Sequence, residues 1–425
     1  MANAALGKKG AAGPAVTPPR RIDAAVMRDE MHRAVILIAL STFVLLLIGV
    51  VMVYSATAPT GLRNAVVNDT SNPFEVANTQ LFYSLVGVFL AIIAALLPSR
   101  FYRRFAVGLF ALGIGLQLLV ITPLGVVRNG NRNWVSFGGI LQIQPSEFLK
   151  IATIVFLAAA LARLRPETAT WKDYVIPAGL GTAIGVISIM VGRDMGTALM
   201  YVMIALGMFW LAGLPGRYLL SIAGFGVLLA AVAVAADPSR LERVTYYFGT
   251  LFSLPDSVSP TQQDYALWAF GSGGIGGSGL GTGAEKWPGN LAEAQTDFIF
   301  AVIGEELGLG GCLVVIALFI VLGWSLTRIC RFHPDKFARF TAGGVAVWLT
   351  GQALMNMLVV TGVLPVFGVP LPFISQGGSA VLAGLLGIGV AESMALSAPG
   401  VRESFRVRHH LAFRARALVR RGTHE

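Results

Sequence analysis

The stretch LAEAQTDFIFAVIGEELGLGG, Leu291 to Gly311, carries three carboxylates, Asp297, Glu305 and Glu306, into an apolar run. A charge at membrane depth is costly and is usually kept for a task or matched by a partner. On a helix, Asp297 and Glu305 stand about 80° out of register, so they need not share one pocket. Asp297 sits where the glycine-rich segment GSGGIGGSGLGTG gives way to the apolar run. Two readings stand for it: a reactive carboxylate at the water interface, which its position favours, or a helix N-cap beside Thr296. For Glu305 and Glu306 a structural pairing with a basic residue of a neighbouring helix is favoured. The glycines permit either a flexible linker or a backbone nest for a phosphate. No Gly-Lys-Ser/Thr ending follows them, which excludes a nucleotide P-loop.

Other polar points lie at similar boundaries. Glu147 and Lys150 in QPSEFLK are three residues apart, a spacing that puts them on one helical face as an ion pair, whether to brace a cavity or to act in it. Pro145 suits the first turn of that helix. Asp194 follows Arg193 in GRDMGT, where a carboxylate complements the start of the next helix. Arg128, Arg132, Arg193 and Lys286 are the cations available to an anionic ligand, although each alone could simply snorkel at an interface. PVFGVPLPFISQGGSA holds three prolines and three glycines, with Ser375, Gln376 and Ser379 as polar points. Such irregular backbone between apolar runs is expected to line a cavity as a rigid re-entrant wall.

The elements that must position these residues are membrane helices. Of the 425 residues 55% are hydrophobic and only 13% charged, with a mean hydropathy of +0.71, where a soluble domain carries about 25% charged residues. Ten runs approach the roughly 20 residues a spanning helix needs: 34–55, 80–97, 105–127, 147–162, 174–191, 197–213, 218–235, 298–327, 341–363 and 380–397. The expected fold is an all-α polytopic membrane protein of about ten spans. Residues 1–33 form a disordered basic tail, 34–397 the membrane domain with a large loop at 236–297, and 398–425 a second basic tail. With both termini in the cytoplasm, 24 of the 32 Lys and Arg fall on the inner side, as the positive-inside rule requires. The odd segments 128–150, 192–197, 236–297 and 365–380 then converge on the outer face. The start of the long loop, DPSRLERVTYYFGTLFSLPD, suits an interfacial helix presenting Tyr246, Tyr247 and Phe248. The net charge of +10 belongs to membrane anchoring, not to nucleic acid. The N-terminus does not read as a cleaved signal, and Cys312 and Cys330 imply no disulfide.

The motifs VMVYSAT, NRNWVSFGGILQIQPSEFLKIA, RDMGTAL, LAEAQTDFIFAVIGEELGLGG and LPVFGVPLPFISQGGSA resemble, in order and spacing, those of the SEDS family (shape, elongation, division and sporulation), the FtsW and RodA group. The resemblance implies a peptidoglycan glycosyltransferase polymerising lipid II outside the cytoplasmic membrane, beside a class B penicillin-binding protein and other divisome or elongasome proteins. The family's essential acidic residue falls on Asp297, as the base or as a ligand of a divalent ion, Mg²⁺ or Mn²⁺. Arg128, Arg132, Arg193 and Lys286, with Ser375 and Gln376, become candidate substrate contacts, and Glu147 with Lys150 a bracing pair. Two departures flank the motif, since the family usually has Pro and His where this chain has Ala292 and Gln295. The wording VMVYSAT and AVIGEELG leans to the division-associated FtsW type over the RodA type. The rival readings are a lipid II flippase, which would want a midplane site and internal repeats that the sequence lacks, and a noncatalytic scaffold.

Overall fold

In hydrocarbon a backbone has no polar partner but itself, so long apolar runs close into helices. A computed structural model describes residues 23–68, 72–128, 131–138, 141–165, 169–250 and 259–405. Its elements are α1 (Ala24–Asn68), α2 (Glu75–Leu96), α3 (Ser99–Leu118), strands β1 (Gly125–Arg128), β2 (Asn131–Phe137) and β3 (Leu141–Ile143), then α4 (Pro145–Leu161). There follow α5 (Trp171–Tyr174) running through a π-helical turn into α6 (Leu180–Val191), α7 (Met195–Leu211), α8 (Gly216–Ala235), α9 (Pro238–Thr250), α10 (Gln262–Gly273), α11 (Ile299–Phe332), α12 (Lys336–Val360) and α13 (Gly378–Leu396).

Among the described residues eight helical stretches are long and apolar enough to cross a membrane. Helices α4 and α7, of 17 residues each, sit at the lower limit of about 17 for a span. Every predicted run coincides with a helix, and the architecture is polytopic and all-α. One addition was not foreseen. Strands β1, β2 and β3 form an antiparallel sheet of that order, so the third run stops at Ile121 instead of 127.

Two boundaries move. Helix α1 starts at Ala24, inside the predicted disordered tail, because Met27, Met31 and His32 are buried there. Asp29 also pairs with Arg33 at 2.8 Å and Glu30 with Arg328 at 2.9 Å. The rest of that tail, and residues 406–425 of the other, lie outside the described residues. The long loop is largely structured: it holds α9 and α10. Of the three aromatics expected to be presented by its first helix, Tyr246 and Phe248 are exposed. Tyr247 is buried and donates from its hydroxyl to Val363 O at 2.5 Å. Cys312 and Cys330 are free.

Burial separates inner from outer helices. Within its most apolar window α13 is 78% buried by the protein and α12 61%, while α8 shows none. Side chains of α8 therefore face outward to lipid. Lipid tails are as apolar as leucine, so inner helices gain from close approach of small residues. At Gly389 a Cβ would stand 2.3 Å from Ala91 O, so α2 and α13 can meet only over a bare backbone. Helix α11 changes environment along its length. Ile299 to Glu306 are all buried, then Gly308 breaks the helix at φ 66°, and Leu309, Leu313 and Val314 are more than half exposed.

Because backbone cannot move aside as a side chain can, Gly389→Leu is expected to lower stability by about 3 kcal/mol, the upper part of the overpacking range. A fall in Tm of the detergent-purified protein, absent in Leu228→Ala on the lipid-facing α8, checks this.

Candidate functional site

The four irregular segments come together at one end of the bundle. Arg132 N–H of β2 donates to Gly192 O at 3.0 Å, and Gln144 N–H to Ser379 Oγ at 3.0 Å. Asp194 is buried and collects four donors: Asn133 Nδ2 and Gln144 Nε2 (2.9 Å each), Thr197 N–H (3.0 Å) and Thr197 Oγ1 (2.9 Å). It caps α7, as its position predicted, and also fastens the sheet to that helix. The segment between α12 and α13 is sewn in by side chains. Gln80 donates to Ser375 O (3.2 Å) and accepts from Gly377 N–H (3.1 Å), Gln352 donates to Pro370 O (2.8 Å), and Asn356 to Val369 O (2.8 Å). It is the rigid wall expected of its prolines and glycines.

Asp297 lies against this wall. Asn356 Nδ2 donates to its backbone oxygen at 2.7 Å, Ser375 Oγ to Thr296 O at 2.6 Å, and Gln376 N–H to Gln295 O at 2.8 Å. The peptide is held on three sides, but the carboxylate engages no donor among the described residues. The N-cap of α11 is Phe298, so the capping reading of Asp297 falls away. A Cβ at Gly368 would stand 3.6 Å from Asp297 Oδ2, which puts the carboxylate beside a small cleft, with room for about one water molecule, lined by Glu147, Lys150, Thr197, Gln352, Gly368 and Pro370. Asp297 is half-buried, and burial, followed by the Glu293 and Asp194 carboxylates, pushes its pKa up to about 7. Glu293 is set by Thr296, whose hydroxyl donates to it at 2.6 Å.

On the cleft floor Lys150 Nζ stands 2.9 Å from Glu147 Oε1 and donates to Gln352 Oε1 at 3.0 Å, with the Trp348 ring 4.9 Å away. Both charges are buried. The spacing-based pairing thus holds. Gln352 and Trp348, whose Nε1 donates to Gln352 at 2.9 Å, complete it from α12.

Three sequence-based expectations change. Lys286 is no outer-mouth cation: it is buried with its Nζ 2.5 Å from Glu306 Oε1, and an ammonium so enclosed cannot meet a ligand. Ser375 is buried with its hydroxyl occupied, donating to Thr296 O and accepting from Leu371 N–H at 2.7 Å, so it braces instead of binding. Glu306 does find a basic partner, but it is Lys286 from the loop and not a residue of a neighbouring span, while Glu305 accepts the backbone N–H groups of Ala284 and Glu285 instead. Arg193 is exposed at φ 60°, Gln376 partly exposed, and Arg132 partly exposed with one amino group donating to Thr122 O at 2.8 Å. The side chain of Arg128 lies outside the described residues. At the two departures the backbone does the bonding. Ala292 N–H donates to Gln262 Oε1 at 2.7 Å, a bond proline cannot make, and Gln295 uses its carbonyl.

Among the described residues no three His, Cys, Asp or Glu side chains gather to hold a metal ion. A hard cation such as Mg²⁺ is often bound by one or two carboxylates together with substrate phosphates. The unengaged Asp297 carboxylate fits a site of that shared kind as one ligand, and no closed protein cage.

A family model described as "Cell cycle protein", covering FtsW, RodA and SpoVE, matches residues 35–398. The chain belongs to this family. It is 34% identical over 394 residues to a Mycobacterium tuberculosis protein named "Probable peptidoglycan glycosyltransferase FtsW", covering 92% of this chain and 73% of the relative. It is 35% identical over 358 residues to stage V sporulation protein E of Bacillus subtilis, covering 84% and 95%. Its fold is similar to a chain described under "Structural coordination of polymerization and crosslinking by a peptidoglycan synthase complex", at TM-score 0.64 and 28% identity over 83% and 98%. It is also similar to the rod shape determining protein RodA of Thermus thermophilus, at TM-score 0.62 and 25% identity over 85% and 96%. Like the rest of this family, the protein is a multi-pass membrane protein.

Removing one partner of a buried ion pair strands the other charge, at a cost of about 3–5 kcal/mol, whereas an apolar replacement of both can be neutral. Glu147→Gln should therefore lose most folded protein, and Glu147→Leu/Lys150→Met should regain it. Size-exclusion recovery and Tm of the two variants read the difference.

Proposed function

We propose that the protein is a peptidoglycan glycosyltransferase that polymerises lipid II into glycan strands at the outer face of the cytoplasmic membrane, in the division-associated FtsW branch of its family. The observation that carries the reading is the Asp297 carboxylate: its backbone is pinned from α12 and from the segment that follows it, its oxygens meet no donor among the described residues, and its pKa is pushed up to about 7. A general base works best when its pKa lies near the working pH.

The chemistry follows from the substrate. A GlcNAc 4-hydroxyl attacks the anomeric carbon of a sugar carried on undecaprenyl diphosphate. The new glycosidic bond forms as the bond to diphosphate breaks, and the hydroxyl proton passes to Asp297. Negative charge grows on the departing diphosphate, where cations would steady it. Arg132 and Arg193, at this end of the bundle, and Arg128 are the candidate partners. A bound divalent ion, with Asp297 among its ligands, would supply further charge stabilisation. The buried Glu147–Lys150 pair keeps the floor of the cleft in one geometry.

The Lys and Arg distribution supports cytoplasmic termini and hence an outward-facing cleft. A class B penicillin-binding protein that crosslinks the strands is the proposed partner, along with other divisome proteins. The synthase complex that contains a fold-neighbour of this chain supports that pairing.

The pH behaviour has a definite sign. Asp297 acts as a carboxylate, so turnover should rise with pH through about 7 and level off above it. Its raised pKa also means that the unfolded chain ionises first, so stability falls between roughly pH 4 and about 7. Asp297→Asn should then be at least as stable as wild type above pH 7, yet make no glycan chains. Lipid II polymerisation by the purified protein with a partner whose transpeptidase site is inactivated, with and without Mg²⁺ or Mn²⁺, tests both. Chains from an equally folded Asp297→Asn would sink the assignment.

A further inference from the structure

Glu305 and Glu306 lie eight and nine residues beyond Asp297 in the buried first turns of α11, and the glycine-rich segment folds inward to meet them. Ser278 N–H donates to Glu305 O (2.9 Å) and Gly279 N–H to Glu306 O (3.0 Å). Gly281 N–H reaches Glu306 Oε2 (3.0 Å) and Ala284 N–H reaches Glu305 Oε1 (2.6 Å). Lys286 Nζ pairs with Glu306 and donates to Ser55 Oγ of α1 at 2.8 Å, while Ser55 Oγ donates to the Glu306 carboxylate at 2.7 Å. All four polar residues, Ser55, Lys286, Glu305 and Glu306, are buried. The close fit requires glycine. Gly277 sits at φ 80°, and a Cβ there would stand 2.3 Å from Glu306 O. The Gly308 break frees Leu309 N–H to donate to Gly274 O at 2.9 Å.

From Lys286 the chain returns to α11 through two turns, closed by Leu291 N–H on Glu285 O (3.0 Å) and by Phe298 N–H on Glu293 O (3.1 Å). The second turn contains Asp297. Residues 286–306 thus form a ring closed by the Lys286–Glu306 pair, with Asp297 near its midpoint. Its far side is pinned by Ser375 and Gln376, and its closure by Ser55.

We propose that the Lys286–Glu306–Ser55 knot is a positioning device for Asp297: it closes the ring that carries the carboxylate and ties that ring to α1. This rests on the reading of Asp297 as the catalytic base. A buried ion pair is poor evidence for stability and better evidence for a fixed arrangement. Displacing a reacting group by about 1 Å can cost about a hundredfold in rate. Ser55 belongs to VMVYSAT and Glu306 to the Glu-Glu pair, two motifs that the reaction itself leaves without a role.

The test separates position from packing. Lys286→Met alone should strand Glu306 and fail to accumulate. Lys286→Met/Glu306→Met, close in volume and apolar, should recover a Tm near that of wild type. In that double variant, amide hydrogen exchange across residues 284–297 should rise, and kcat for lipid II should fall by about ten- to a hundredfold, with KM changed by less than about threefold. Wild-type exchange, or wild-type kcat, in the folded double variant overturns the proposal. Should the double variant not fold, Ser55→Ala decides: faster exchange over 281–297 with reduced kcat supports the knot, and unchanged values overturn it. Exchange reports on the ring whatever reaction the protein performs, so a wild type that makes no chains would defeat the functional reading separately.

Discussion

A polar group inside an apolar bundle has no water to fall back on, and the whole arrangement at the cleft depends on that constraint. Each buried charge meets its match within hydrogen-bond distance: Lys150 with Glu147 and Gln352, Lys286 with Glu306 and Ser55, Asp194 with four donors. Such matching is directional, so each pair fixes the relative placement of the elements that supply it. The Asp194 cluster binds the sheet and the segment before α4 to α7, the Lys150 cluster α4 to α12, and the Lys286 cluster the glycine-rich loop to α1 and α11. Apolar contact between helices in lipid gives little such specificity, because lipid tails are equally good neighbours.

The same constraint explains the wall between α12 and α13. Its backbone makes no regular ladder, so its carbonyls and amides need other partners. Gln80, Gln352, Asn356 and Ser375 provide them, each bonding backbone from within the core of the bundle. Phe373 shows how firmly the path is held. It is buried at φ 65°, a region costly for a non-glycine residue and sustained only where the surroundings over-determine it. With its carbonyl directed at the bare backbone of Gly49, this residue locks the wall against α1.

Hydropathy was sufficient to place a helix at each of the ten apolar runs, because hydrocarbon admits few alternatives to a helix. It failed where charge is compatible with a helix. Residues 24–33 read as a tail because of Arg28, Asp29, Glu30 and Arg33, and hydropathy does not see the pairings of Asp29 with Arg33 and of Glu30 with Arg328. The small sheet has a signal in the sequence, an Asn129-Gly130 dipeptide between the runs that become β1 and β2, which is a strong hairpin cue. At the site, short-range spacing carried far: Glu147 with Lys150, and Asp194 at its helix start. Long-range pairings were illegible. Lys286, read as a surface cation from its loop, pairs with residues 20 and 231 positions away, and nothing local in the sequence distinguishes a lysine bound for the interior. Gln352 and Asn356 were missed for a similar reason, since an amide in an apolar helix gives no hint of which carbonyl it will meet.

The contrast between Asp297 and its neighbours is the most informative feature of the cleft. Asp194 and Glu293, close enough to raise its pKa, both have donors of their own. Among the described residues Asp297 alone of the three has a carboxylate that meets no donor, while Asn356, Ser375 and Gln376 hold the backbone of residues 295–297. A fold selected only for stability would give this half-buried carboxylate a partner, since a hydrogen bond to a charged group is worth about 1.5–3 kcal/mol. Holding the backbone rigid while leaving the side chain hungry for a proton or a cation is the arrangement expected of a group whose partner arrives with the substrate.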